Sequence, residues 1–88
     1  MKRYVAEFAA DELEKLETIN PNNKEQISQR IKYIVAMCRE NVIDDYEAVV
    51  KISEAYTYKG ENNDEKQTGI YISDDIIEEA MAECEAIL

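Results

Sequence analysis

The side chains with the clearest capacity for chemistry are carboxylates near the end of the chain. The stretch SDDIIEEAMAECEAIL, from Ser73 to Leu88, holds six acidic residues and no basic one. When residues 74–88 are placed on a helical wheel, the acidic residues fall on one arc and the apolar residues on the other. We call the acidic arc the acidic strip; it comprises Asp74, Asp75, Glu78, Glu79, Glu83 and Glu85. Such a strip predicts binding to a basic surface of another protein, or occupation of a groove built for phosphates.

The acidic strip is expected to cost stability in the isolated chain. Three like-charged pairs stand four residues apart, and each pair costs about 0.2–0.5 kcal/mol at low salt. Glu83 and Glu85 also lie at the negative end of the helix dipole, so the total is on the order of 1–2 kcal/mol. Two interpretations stay open: a solvated face whose cost is tolerated, and a binding surface that stays unneutralised until a partner supplies cations.

The net charge of -10 is distributed unevenly along the chain. Residues 1–44 hold seven basic and eight acidic residues, whereas residues 45–88 hold three basic and twelve acidic residues. A phosphate backbone is repelled by such a surface, so we expect no direct binding to nucleic acid. Three further acidic residues precede the strip in the polar segment KGENNDEKQTG and are predicted to assist it: Glu61, Asp64 and Glu65.

Catalytic and metal-binding patterns are missing from the sequence. The chain has no histidine, which removes the commonest general base and metal ligand. Its only glycines are Gly60 and Gly69, so there is no glycine-rich phosphate loop. A calcium loop starting at Asp64 would place Lys66 at a ligand position. We therefore expect no enzyme activity, no cofactor and no metal.

Composition and hydrophobic spacing predict one all-α domain over residues 1–88. With two glycines and one proline in 88 residues, the chain has few residues for tight turns between strands. Helices are predicted over about 4–18, 24–40 and 45–58, with a fourth after Ser73. The expected boundaries are the NPNN break at 20–23, a left-handed Asn41, and N-caps at Asp44 and Ser73. Residues 69–72 are predicted to be a linker that docks Ile70 and Ile72, with a short extended segment as the alternative.

The predicted inner faces are apolar at three- and four-residue steps. Both cysteines fall on these faces, so packing is their expected role. The faces are Val5, Phe8, Ala9, Leu13, Leu16 and Ile19; Ile27, Ile31, Ile34, Val35 and Cys38; Ala48, Val49, Ile52, Ala55 and Tyr56; and Ile76, Ile77, Ala80, Met81, Cys84, Ile87 and Leu88.

A second functional hypothesis is self-association without a charged partner. Tyrosine is enriched at interfaces, and several tyrosines lie towards the predicted polar sides of the helices. The expected homodimer contact would use Tyr33, Met37, Tyr46 and Val50.

The expected location is the cytoplasm. The start MKRYVAEFAADELEK has no apolar run of the length that a signal peptide needs, and no stretch approaches eighteen consecutive apolar residues.

Two stretches resemble small helical accessory proteins of Gram-positive phages and mobile elements. The opening KRYVAEFAADELEKLE is similar to the start of such proteins, and CRENVIDDYEAVVKI resembles their helix-turn-helix hairpin. Together they cover roughly the first 55 residues, and the acidic strip lies outside them. The resemblance implies a host-takeover or counter-defence protein, such as an anti-CRISPR inhibitor, and it assigns no functional residues. The alternative of a DNA mimic comes from the spacing of the carboxylates in the acidic strip.

Overall fold

The computed structural model describes residues 1–55 and 72–88, and these form an all-α bundle. The four helices are α1 (Arg3–Ile19), α2 (Lys24–Arg39), α3 (Asp45–Ser53) and α4 (Asp74–Ile87). The predicted fold class is thereby confirmed. The predicted starts of α2, α3 and α4 coincide with the observed ones, and α1 begins and ends within one residue of its predicted bounds.

Helix α2 lies at the centre of the bundle. It packs against α1, α3 and α4, and its most extensive contact is with α4. Helix α1 also contacts the other three helices, whereas within the described part of the chain α3 and α4 do not meet. Residues Tyr33 to Cys38 are all buried, so α2 is covered on every side over this stretch. This arrangement places α4 along one side of α2. The side of α4 that faces away from the other helices is exposed to solvent.

The turns that separate the helices use asparagine in the left-handed region. Asn20 has φ 50° and follows α1, and Asn41 has φ 62° and follows α2. After α2, the amide of Val42 donates to the carbonyl of Met37 at 2.9 Å and the amide of Asn41 to that of Cys38 at 3.1 Å. This pair of bonds is a Schellman ending, so the predicted role of Asn41 is confirmed.

Helix α3 is shorter than the sequence indicates. It ends at Ser53, five residues before the predicted end at Tyr58. The Ser53 hydroxyl donates to the carbonyl of Val50 at 2.6 Å, and the amide of Glu54 bonds to the carbonyls of both Val50 and Lys51. These tighter bonds close the last turn. The predictions for Tyr56, Ile70 and an extended segment at 69–72 lie outside the described residues, apart from Ile72, which is buried as expected.

The predicted inner faces largely form the core, with three clear errors. Leu88 was expected to be buried but is 49% exposed, because it follows the last residue of α4. Ile19 was expected to be buried but is 61% exposed, because it is the last residue of α1 and lies beyond the packed region. Tyr33 was assigned to a polar side but is only 7% exposed, because α2 is surrounded by helices. Glu12, which no pattern singled out, is buried and forms an ion pair with Lys15 at 3.2 Å.

Side-chain caps fix where α3 and α4 begin. Asp44 Oδ1 accepts the amide of Glu47 at 2.7 Å, and Ser73 Oγ accepts the amide of Ile76 at 3.3 Å. We expect Asp44→Ala to lower the free energy of unfolding by about 0.5–2 kcal/mol, because the amide of Glu47 loses its acceptor. Urea denaturation followed by circular dichroism measures the loss. Asp11→Ala, at an exposed position inside α1, is the control; an equal loss there would contradict the capping role of Asp44.

No helix in residues 1–55 and 72–88 is both long and apolar enough to cross a bilayer.

Candidate protein-binding surface

Helix α4 holds the acidic strip by burying its opposite side. Ala80 and Cys84 are almost fully buried, and Ile76, Ile77, Met81 and Ile87 pack against the core from partly buried positions. The Cys84 thiol lies 3.5 Å from the carbonyl of Ala6 on α1. Since alanine and cysteine are small, α4 approaches α1 and α2 closely. The rotation of α4 about its own axis is therefore set by packing, and the acidic side faces away from the bundle.

All six strip residues lie at the surface. Five of them are exposed: Asp74, Asp75, Glu78, Glu79 and Glu85. Glu83 is half-buried, with 41% of its side chain accessible. The predicted separation of α4 into an apolar and an acidic side is therefore observed.

Arg39, at the end of α2, neutralises one edge of the strip. Its Nη1 lies 3.5 Å from Glu79 Oε2, and its Nε lies 3.6 Å from Glu83 Oε1. Nη1 also contacts Glu40 Oε2 at 2.8 Å. The expectation that the whole strip lacks a cation of its own chain is therefore wrong at Glu79 and Glu83. The sequence placed Arg39 in the last turn of α2, but only the crossing of α2 and α4 brings it to these two carboxylates.

The other edge of the strip has no such neutralisation. Within the described residues, no lysine or arginine nitrogen lies within 4.0 Å of the carboxylates of Asp74, Asp75, Glu78 or Glu85. We call these four residues the open edge. Asp74 and Asp75 lie in the first turn of α4, where the helix dipole favours them, while Glu78 and Glu85 lack that compensation.

A groove runs between the open edge and α2. It has a volume of about 550 Å³ and is lined by residues of both helices. Gln29 and Lys32 come from α2, and the α4 residues are Asp74, Ile77, Glu78, Met81, Ala82 and Glu85. The groove is thus lined by three carboxylates together with apolar side chains, a feature that no pattern in the sequence indicated.

The predicted helpers Glu61, Asp64 and Glu65, and the calcium loop considered at Asp64, lie outside the described residues. Within residues 1–55 and 72–88, no group of three or more histidine, cysteine or acidic side chains is arranged to hold a metal ion.

The homodimer contact expected from the sequence does not form one surface. Tyr33 and Met37 are buried in the core, whereas Tyr46 is 76% exposed and Val50 is half-buried. A contact between folded copies could therefore not use Tyr33 or Met37, because the neighbouring helices cover this part of α2.

A second polar cluster joins the starts of α1 and α3. Asp45 Oδ1 accepts hydrogen bonds from the Cys38 thiol and from the amide of Lys2, both at 3.3 Å. Burial, followed by the hydrogen bond and negative charge of Asp45, raises the pKa of Cys38 to about 12. Burial, then the charge of Glu85, raises the pKa of Cys84 as well. Both cysteines are free and buried, and the raised pKa of each thiol disfavours its reactive thiolate form.

The Asp45 cluster makes stability depend on acid pH. Burial alone raises the pKa of Asp45, but hydrogen bonds from Cys38 and Lys2 and nearby positive charge outweigh it, so the pKa lies below its usual 3.8. A depressed pKa in the folded state stabilises the protein above the unfolded value and loses this contribution as pH falls through the folded value. We expect Asp45→Asn to be less stable than wild type at pH 6 and to approach it near pH 2, as followed by urea denaturation across pH. With Asp11→Asn as control, a gap that stays constant with pH would contradict this role.

No family model matches the chain, and no match was found among curated proteins or solved structures.

Proposed function

We propose that the chain is a non-enzymatic protein-binding module that presents its acidic strip to a basic surface of another protein. The observation that carries this proposal is the open edge, four exposed carboxylates on one side of a packed helix that form no ion pair within 4.0 Å in the described chain. Charge complementarity of this kind accelerates association and selects the partner.

The proposed partner is a protein that handles nucleic acid. Asp74 and Glu85 are eleven residues apart on α4, which corresponds to roughly 16 Å at about 1.5 Å per residue. A single DNA strand places a phosphate about every 3.4 Å, so it carries about five charges over that length. The open edge carries four carboxylates, which is close to the same charge density. A groove that binds a phosphate backbone would therefore accept this side of α4.

The resemblance to phage accessory proteins favours a more specific role for this protein-binding module, that of an inhibitor of host defence. In this reading the chain occupies the nucleic-acid-binding surface of a defence protein such as a CRISPR effector, in the manner of a DNA mimic, inside the bacterial cytoplasm. The acidic strip lies outside the stretches that carry the resemblance. The experiment therefore has to test the strip itself.

Two charge-matched variants provide that test. The open-edge variant carries D74N, D75N, E78Q and E85Q, and the distal variant carries D11N, E14Q, E25Q and E47Q, at exposed acidic positions of α1, α2 and α3. Both raise the net charge from -10 to -6. In pull-downs from lysate of a Gram-positive bacterium, wild type and the distal variant should retain the same nucleic-acid-handling protein, and the open-edge variant should not. Retention of the same proteins by all three would reject the proposal.

Competition with DNA tests the mimic mechanism. Wild type should displace a labelled duplex from the captured protein, as measured by fluorescence anisotropy, and the open-edge variant should not. If the captured protein binds the chain and the duplex at the same time, the chain is a protein-binding module but not a DNA mimic.

A further inference from the structure

The groove between α2 and α4 offers two kinds of contact side by side. Its volume of about 550 Å³ lies within the roughly 300–1,000 Å³ of binding clefts. Ile77, Met81 and Ala82 supply apolar surface, while Asp74, Glu78 and Glu85 supply negative charge. Apolar side chains and carboxylates therefore line the same depression. The combination indicates an occupant that is apolar along its length and positively charged at its end.

Lysine and arginine side chains have this construction, because a chain of methylene groups carries a charged head. Arginine fits the groove better than lysine. Its guanidinium is planar, is more weakly hydrated than an ammonium, and donates to two carboxylate oxygens at once. Three carboxylates around one groove provide several such oxygens.

The other edge of α4 already holds a guanidinium. Arg39 lies between Glu79 and Glu83, which are four residues apart, with nitrogen–oxygen distances of 3.5 and 3.6 Å. Asp74 and Glu78 are also four residues apart on the opposite edge, where α2 contributes Gln29 and Lys32 to the groove but no ion pair within 4.0 Å forms with these carboxylates in the described chain. The chain therefore shows on one edge of α4 the arrangement that a partner's arginine would complete on the other.

We propose that the groove between α2 and α4 is a socket for an arginine side chain of the partner protein. The aliphatic stem would pack on Ile77 and Met81, and the guanidinium would bind Glu78 with Asp74 or Glu85. This inference rests on the proposed function and specifies the partner's contact residue. A second copy of the chain is a poor occupant, because two molecules of net charge -10 repel each other.

Substitution of Lys32 tests whether the groove binds an arginine side chain. Among the described residues, Lys32 is the only basic residue lining the groove, and it takes part in none of their ion pairs. Its ammonium therefore opposes an incoming guanidinium. Lys32→Gln should tighten binding of an arginine probe, by about two- to fivefold, whereas loss of a side chain that merely supports the fold would weaken it.

Methionine methyl groups report occupancy directly. The chain has three methionines: Met81 lines the groove, Met37 is buried in the core, and Met1 lies outside the groove. With ¹³C-methyl-labelled protein, addition of a hexa-arginine peptide should shift the Met81 signal and leave Met37 and Met1 in place. A hexa-lysine peptide should bind several times more weakly, and a hexa-glutamine peptide should cause no shift. A Met81 signal unchanged by saturating hexa-arginine would overturn the proposal.

A pair of double variants separates the socket from the strip as a whole. E78Q/E85Q and E79Q/E83Q both raise the net charge to -8, but only the first changes the groove. E78Q/E85Q should weaken binding of hexa-arginine about tenfold and E79Q/E83Q by less than about threefold. Equal losses would reject the socket and keep the acidic strip as a binding surface. No loss in either would reject both the socket and the proposed function. Thermal unfolding by circular dichroism confirms that each variant is folded before binding is measured.

Discussion

Raising the NaCl concentration from about 0.1 to 1 M is expected to weaken the complex with the basic partner by on the order of 10–100-fold. The screening length falls over this range from about 10 Å to about 3 Å, so attraction beyond direct contact is lost. The open edge responds fully because its carboxylates are exposed and hold no cation of the described chain. Fluorescence anisotropy of the labelled chain with purified partner, at five salt concentrations, gives the dependence.

The charge-matched variants show where the salt dependence originates. The open-edge variant should bind weakly at every salt concentration and show a shallow slope, while the distal variant should reproduce the wild-type slope. Because the two variants have the same net charge, a difference between them arises from position. Wild-type binding that is insensitive to salt would show that the complex is held by apolar contacts, and the account would be wrong.

Replacing Ile31 with alanine is expected to lower the free energy of unfolding by about 2–5 kcal/mol. Ile31 is fully buried in the middle of α2, which contacts the three other helices, so the deleted atoms leave a cavity that few neighbours can fill. Small domains have total stabilities of roughly 5–15 kcal/mol, so this loss is large. Urea denaturation followed by circular dichroism should show a lower midpoint with an unchanged slope.

Ile19→Ala is the matched control for this substitution. It removes the same atoms from a side chain that is 61% exposed, so the expected loss is within about 0.5 kcal/mol. Similar losses at Ile31 and Ile19 would contradict the position of α2 at the centre of the bundle.

Local signals in the sequence determined the helix starts. Asp44 and Ser73 each bond to an amide three residues later, a contact that depends only on nearby chain geometry. Asn41 likewise ends α2 through a turn whose bonds all lie within six residues. Such features can be read from one stretch at a time, which is why these boundaries were predicted correctly.

Features that depend on how helices cross were not predictable. The hydrophobic spacing of α2 indicates one inner face, but three helices surround it, so Tyr33 is buried on what was read as a polar side. The pairing of Arg39 with Glu79 joins residues forty positions apart. The acidic strip was visible in the sequence because a single helix carries it, whereas its division into a neutralised and an open edge required the position of α2.

The most direct test of the central claim is isothermal titration calorimetry of the purified partner with wild type, the open-edge variant and the distal variant under one buffer condition. The open-edge variant, which neutralises Asp74, Asp75, Glu78 and Glu85, should bind at least about tenfold more weakly than wild type. The distal variant, which neutralises four other acids, should change the affinity by less than about twofold. Equal affinity of the open-edge variant and wild type would show that the open edge is only a solvated face.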